Sequence, residues 1–220
     1  MTRAGPTRAV VFDLDGTLVD SMPLVLRAFA HALLPYCGEM SPEEITSHLG
    51  GPPERMLRKL IADESKVPEA MQRLFDFDVA NWRLIQPFDG MHGLLDHLRE
   101  SGRALALWTG RERESTGLIL KEHGITPKLD VWVCGDDLPT HKPHPGGLEE
   151  ALRQLAVTRE QALFVGDADV DVLAGAELGV RTLLISHDRV VDPAVQAKAW
   201  RAVKTPAEAY AIVRTELAGF

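Results

Sequence analysis

Five short apolar runs constrain how this chain can fold: Ala9–Phe12, Ala104–Trp108, Val131–Cys134, Ala162–Val165 and Thr182–Ile185. Each has the length of a strand and is almost continuously hydrophobic, the pattern of strands buried on both faces. Such strands need helices to cover them, and the intervals supply candidates. Leu94, Leu95 and Leu98 form one apolar face closed by Gly102, and Leu148, Leu152 and Leu155 form another. The alternation predicts an α/β protein with a doubly wound parallel sheet. Ligands of such sheets bind beyond the carboxyl ends of the strands, so the residues that follow each run carry the functional information.

One interval breaks the rhythm. Between about residues 21 and 87 there is no comparable strand run. Helical patterns at Leu24–Leu34, Glu54–Ile61 and Glu69–Ile85 are punctuated by Pro35, Gly38, Pro42, Gly50-Gly51-Pro52-Pro53 and Pro68. We expect a helical insertion over 21–87, flanked by a discontinuous core of 1–20 and 88–220. Its junctions would be hinges near Asp20-Ser21 and Pro87-Phe88-Asp89-Gly90. At 220 residues, the chain has room for a core domain and a small appendage.

Charge and cysteine content narrow the function classes. The formal charge of −8 disfavours a nucleic-acid partner, which selects for the opposite balance. No apolar run approaches the roughly 20 residues of a membrane span. Met1–Arg8 lacks the apolar stretch of a secretory signal. Cys37 and Cys134 make neither a disulfide framework nor a zinc spacing. A soluble cytoplasmic protein is the expectation.

The segments after the runs are rich in carboxylates. Asp13-Leu14-Asp15-Gly16-Thr17-Leu18 follows the first run. Its two aspartates, two apart, point to one side if the extended geometry persists; a plain Asp-rich turn has the same composition. Thr109-Gly110-Arg111 follows the second run, offering a hydroxyl and a backbone N–H at a helix start for an anionic oxygen, although an ordinary Thr N-cap looks alike. After the third come Gly135-Asp136-Asp137 and His141-Lys142-Pro143-His144-Pro145, in which Lys142 is either a charge clamp or a surface lysine. Gly166-Asp167-Ala168-Asp169-Val170-Asp171 follows the fourth, with Asp167 and Asp171 at a helix N-terminus, which favours negative charge. A calcium loop is excluded at both acidic motifs, because Leu18 and Val172 occupy the position of its turn glycine.

Together these motifs gather several carboxylates, a lysine and a hydroxyl at one sheet edge. Carboxylates crowd only when protonated or neutralised by a cation. A few hard oxygen ligands suit magnesium, which keeps waters and contacts a substrate phosphate. The set therefore points to phosphoryl transfer, where positioning and charge neutralisation dominate.

In this order, Asp-x-Asp-Gly-Thr, then Thr, then Lys-Pro, then Gly-Asp-x-x-x-Asp, the motifs resemble those of the haloacid dehalogenase superfamily over nearly the whole chain. The branch they resemble most is the phosphoglycolate phosphatase-like one, with an α-helical cap inserted after the first motif. The resemblance implies a Rossmann-like core and roles by position. Asp13 would be the nucleophile. Asp15 would act as acid and then base, and its carbonyl would reach magnesium. Thr109, with the N–H groups of Leu14 and Gly110, would hold the phosphoryl oxygens. Lys142 would neutralise charge on Asp13 and the phosphate. Asp167 would bind Mg2+, and Asp171 would orient a metal-bound water or Lys142. Dehalogenating members typically lack the second Asp, so Asp15 implies phosphate esters.

The branch the chain resembles usually carries an Asn directly after the hydroxyl residue of the second motif, where this sequence has Gly110-Arg111. Arg111 would then contact phosphate or carboxylate of the substrate, or be a solvated arginine at a helix start. The cap is expected to select a small soluble phosphomonoester, phosphoglycolate-like or a sugar phosphate, with Arg55 on a loop at Gly51-Pro52-Pro53-Glu54-Arg55 reaching an anionic group. The competing readings are a β-phosphoglucomutase-like sugar phosphomutase, a receiver-like phosphoacceptor module and a catalytically silent binding protein.

Overall fold

The structure is a computed structural model and describes residues 7–49 and 53–217. The chain divides into two compact units, one of residues 1–20 and 86–220 and one of Ser21–Ile85. The first unit begins with β1 (Ala9–Phe12) and β2 (Val19–Asp20). The second holds α1 (Met22–Cys37), α2 (Pro42–His48), α3 (Pro53–Leu60) and α4 (Val67–Asn81). The chain then returns to the first unit through β3 (Gln86–Pro87), α5 (Met91–Glu100), β4 (Ala104–Trp108), α6 (Arg113–Glu122) and β5 (Val131–Val133). It continues with α7 (Gly146–Gln154), β6 (Ala162–Gly166), α8 (Asp169–Leu178) and β7 (Arg181–Ile185), and ends with α9 (Pro193–Gln196), β8 (Arg201–Val203) and α10 (Pro206–Leu217).

Six strands form a parallel sheet in the order β5-β4-β1-β6-β7-β8. β1 is central, with Val10 in register with Leu105 on one side and Leu163 on the other. All four of its residues are fully buried, as strands covered on both faces must be. The chain winds outward from β1 to β4 and β5, then returns to β6 on the opposite side of β1. That reversal is the switch point where doubly wound sheets open a crevice, and the residues following β1 and β6 line it.

One layer of the core packs Trp108, Phe164, Val11, Leu148, Leu152 and Val180 together. The Trp108 and Phe164 rings lie 5.4 Å apart. Gly147 lets α7 approach this layer, since a Cβ there would fall 2.0 Å from the Trp108 indole nitrogen. The sixth strand, β8, has no counterpart among the five runs. It is a short edge strand with Arg201 and Ala202 exposed, so it carries no continuous apolar signal.

The helical unit has its own core of Phe29, Leu33, Ile45, Met56, Leu57, Ile61, Val67 and Ala70. Pro35 does not break α1, because it sits in the last turn, and the helix stops at Gly38 with φ +75°. α2 was not anticipated. Its start is a capping box: the Ser41 hydroxyl accepts from the Glu44 N–H at 3.2 Å, and the Glu44 carboxylate accepts from the Ser41 N–H at 2.7 Å. The division falls after Ile85 rather than after Pro87. Gln86 and Pro87 pair antiparallel with Asp20 and Val19, which ties them to the sheet-bearing unit. No helix among the described residues is long and apolar enough to cross a membrane.

Candidate active site

The sheet order brings the ends of β1, β4 and β6 side by side. Asp13 continues β1, and its N–H donates to the Val165 carbonyl of β6 at 2.8 Å. Its side chain is buried. Three residues later the chain turns at Gly16, with φ +74°. A Cβ at Gly16 would fall 2.2 Å from an Asp167 carboxylate oxygen, so glycine is required there by both conformation and space. The turn is closed by the Gly16 N–H donating to Val19 O at 2.8 Å and the Leu18 N–H to Leu14 O at 2.9 Å.

Asp167 follows β6, and Asp171 sits in the first turn of α8. The Asp171 carboxylate accepts from the Ala168 N–H at 3.0 Å, as an N-terminal cap. Gly166 makes this possible, because a Cβ there would lie 2.4 Å from the same Asp171 oxygen. Lys142, from the loop before α7, reaches Asp13 Oδ1 at 2.6 Å and Asp171 Oδ1 at 2.7 Å. Its ammonium lies 4.7 Å from the centre of the Trp108 ring and 5.5 Å from that of Phe164. Aromatic faces both exclude water and favour the cation.

One oxygen from each of Asp13, Asp167 and Asp171 lies within 4.8 Å of the others. Three carboxylates thus face a single ammonium. Burial is the main force raising the Asp13 carboxyl to about 7; Lys142 opposes it, and Asp171 and Asp15 add to it. Asp167 is also pushed well above the usual carboxylate range, first by burial and then by Asp13 and Asp171. Burial alone would lower Lys142, but Asp13 and Asp171 outweigh it and the net shift is upward, so the ammonium stays charged. The site has hard oxygen donors and negative charge left unmatched, and a divalent cation fits both.

Thr109 directly follows β4 and is buried, with its N–H donating to Val133 O at 3.0 Å and its hydroxyl accepting from the Arg111 N–H at 3.1 Å. The neighbouring Gly110 carbonyl packs so closely on Gly135 that a Cβ there would lie 2.2 Å away. Arg111 is neither a solvated helix-start arginine nor aimed away from the protein's own acids. Its guanidinium grips Asp15 through Nε to Oδ2 at 3.1 Å and Nη2 to Oδ1 at 2.9 Å. Leu14 is buried in the turn between the two aspartates.

Arg55 differs from expectation. It lies exposed in the first turn of α3 rather than on a loop, because the helix begins at Pro53, a residue suited to a first helical position. Gly51 and Pro52 of that expected loop lie outside the described residues. His144 is occupied locally, its Nδ1 accepting from the Gly146 N–H at 3.1 Å.

A profile described as haloacid dehalogenase-like hydrolase matches residues 10–185, most of the chain. The chain belongs to the haloacid dehalogenase-like hydrolase family. As a family member it is an enzyme of the hydrolase class. It is 31% identical over 180 residues to the pyrophosphatase PpaX of Halalkalibacterium halodurans, covering 81% of this chain and 83% of that one. The PpaX of Bacillus velezensis is 31% identical over 175 residues, covering 79% and 81%. A haloacid dehalogenase-like hydrolase from Streptococcus pneumoniae superposes with a TM-score of 0.77 at 26% identity, covering 94% of this chain and 98% of that one. CbbY from Rhodobacter sphaeroides, in complex with phosphate, gives 0.70 at 22% identity, covering 92% and 96%.

Two residues near the acidic cluster carry no signal among the sequence motifs. His187 Nε2 lies 2.8 Å from Gly16 O, and Arg189 donates to Asp167 O and to Asp169 Oδ1, both at 2.6 Å. Both brace the backbone that carries the aspartates. They follow β7, so the rule that strand ends carry the site extends to them.

The raised carboxyls set the pH response of the metal-free protein. A carboxyl whose folded value exceeds its unfolded one makes the folded state bind more protons, so stability falls as pH rises through that window. For Asp13 the window runs from 3.8 to about 7, and Asp167 acts in the same direction. With chelator present, unfolding free energy drops between pH 5 and 8 by on the order of a few kcal/mol. A divalent cation held by these carboxylates would reverse the drop, since it binds the ionised form. Denaturant titrations at pH 5 and 8, with and without magnesium, measure this; a metal-free stability that rises with pH contradicts it.

Proposed function

We propose that this hydrolase is a magnesium-dependent phosphatase that cleaves a small phosphomonoester through an aspartyl-phosphate. The observation that carries the reading is the buried Asp13 carboxylate, held by Lys142 and set among Asp167 and Asp171 at the sheet's switch point. Asp13 attacks phosphorus, and the bond to the ester oxygen breaks as Asp15 gives that oxygen a proton. A water then attacks the phosphoryl group and passes its proton to Asp15. The bond to Asp13 breaks, phosphate leaves, and both aspartates are restored.

Thr109 and the N–H groups of Leu14 and Gly110 hold phosphoryl oxygens, and Lys142 offsets charge on Asp13 and the phosphoryl group. Asp13, Asp167 and the Asp15 carbonyl would hold Mg2+, while Asp171 would orient Lys142. The bound cation supplies charge neutralisation at the phosphoryl group. Asp171 suits a supporting role, because one of its oxygens faces Lys142 and the other caps α8. We assign the sheet-bearing unit to catalysis and the helical unit to choosing the rest of the ester, on the ground of its insertion directly after the segment bearing Asp13. Arg55 is our candidate anion contact in that unit.

The test is a panel of phosphoglycolate, sugar phosphates and aryl phosphates, assayed with magnesium and then with EDTA. Phosphate release that needs magnesium supports the reading, and metal-independent release counts against it. Inorganic pyrophosphate belongs in the panel because the PpaX relatives carry that activity in their name. Preference for it over every monoester would replace the ester reading with an anhydride one.

A further inference from the structure

We infer that Arg111 is the positioning residue for Asp15: its fork takes one lone pair of each carboxyl oxygen, leaving the other for the proton that Asp15 gives in the first half of the reaction and takes back in the second. This rests on the phosphatase reading above and goes beyond it. The sequence left Arg111 as a substrate contact or a solvated arginine, and the structure gives it a different partner.

The geometry is specific. Nε and Nη2 of Arg111 meet the two oxygens of Asp15 at 3.1 and 2.9 Å, the side-on fork that matches a carboxylate only when the two planes align. An aspartate otherwise samples several rotamers about its side-chain bonds. The fork selects one. Arg111 can do so because its own backbone is fixed: its N–H donates to the Thr109 hydroxyl at 3.1 Å, and its carbonyl accepts from the Gly135 N–H at 2.9 Å. Its side chain is only 15% exposed, which limits competition from water. Thr109 and Asp15 are thereby tied to one another through a single residue, linking the end of β4 to the turn after β1.

A residue that acts through Asp15 affects proton transfer rather than binding. Alkyl leaving groups need a proton, whereas p-nitrophenolate scarcely does. Arg111→Ala should therefore lower kcat/KM for an alkyl phosphate such as glycerol phosphate by on the order of 10²-fold, the cost of misplacing a reacting group by about an ångström. For p-nitrophenyl phosphate kcat/KM should change only a few-fold. KM should stay near wild type for the alkyl ester, and for p-nitrophenyl phosphate it should fall together with kcat as dephosphorylation becomes limiting. Water activation also uses Asp15, so acid-quenched Arg111→Ala should hold more trapped aspartyl-phosphate during p-nitrophenyl phosphate turnover. Arg111→Lys keeps the charge but loses the fork, and should recover only part of the loss.

The decisive comparison is in the Asp15→Asn background. There the Arg111→Ala change should have no further effect, because the two residues act as one unit. Melting curves of each variant separate a folding defect from a catalytic one, with Arg111→Lys as the variant that preserves charge. A KM rise of equal size for every ester, or a full Arg111→Ala effect in the Asp15→Asn background, would overturn the inference. A wild-type chain inert toward every phosphate ester would instead remove the phosphatase reading and this inference with it.

Discussion

If Asp13 is the nucleophile proposed, Asp13→Asn should lower phosphate-ester turnover by about 10⁴-fold or more, the scale of removing a covalent nucleophile. The amide matches the carboxylate in size but not in nucleophilicity. The substitution should not unfold the protein. Burial already raises the Asp13 carboxyl to about 7, so the site is costly for the charged form, and a neutral amide relieves that cost. Lys142 keeps Asp171 as its ion-pair partner. In metal-free buffer at pH 8 the variant should therefore melt at or above the wild-type temperature while hydrolysing nothing. No aspartyl-phosphate should be trapped by acid quench. Turnover within tenfold of wild type would remove Asp13 from the nucleophile position, and a large loss of stability would show that the charge there supports the fold.

Much of this site could be read before any coordinates, for a physical reason. Strands buried on both faces leave continuous apolar runs, and a doubly wound sheet places its chemistry where those runs end. Asp13 and Thr109 follow such runs directly, and Asp167 follows one after a single glycine. The sequence does not state which strands are neighbours. Asp13 and Asp167 meet because β1 and β6 are adjacent, and Asp15 meets Arg111 because β1 and β4 are. Arg111 and Asp15 lie 96 residues apart, and nothing local marks them as partners. The same blindness explains β8, whose pairing to β7 is set by the sheet and not by its own exposed residues. α2 is a different case. Its Ser41-Pro42-Glu43-Glu44 start is a readable capping signal, but the helix is short and Pro42 has the look of a break.

Lys142→Met separates the two things that lysine does. The ammonium is the cation shared by Asp13 and Asp171, with its side chain only 9% exposed and two aromatic faces around it. Methionine fills a similar volume without charge, so the variant leaves two buried carboxylates facing each other. Removing one partner of a buried ion pair costs about 3–5 kcal/mol. The sign with pH follows from Asp13. Lys142 is what restrains its upward shift, so without the lysine the carboxyl rises further. The penalty should then be larger at pH 8, where the wild type ionises Asp13 beside the ammonium but the variant must either hold a proton there or bury an unpaired charge, and smaller at pH 5, where Asp13 is protonated in both folded proteins. Magnesium should return part of the stability by supplying positive charge to the same carboxylates. It should not return activity, because the ammonium that opposes charge on the phosphoryl oxygens is missing; turnover should stay about 10²–10³-fold low. Urea titrations at both pH values, each with and without magnesium, and initial rates on p-nitrophenyl phosphate give the comparison. A variant that regains wild-type turnover with magnesium would assign Lys142 to folding alone. Equal stability loss at pH 5 and 8 would mean that its partners do not change protonation together with it.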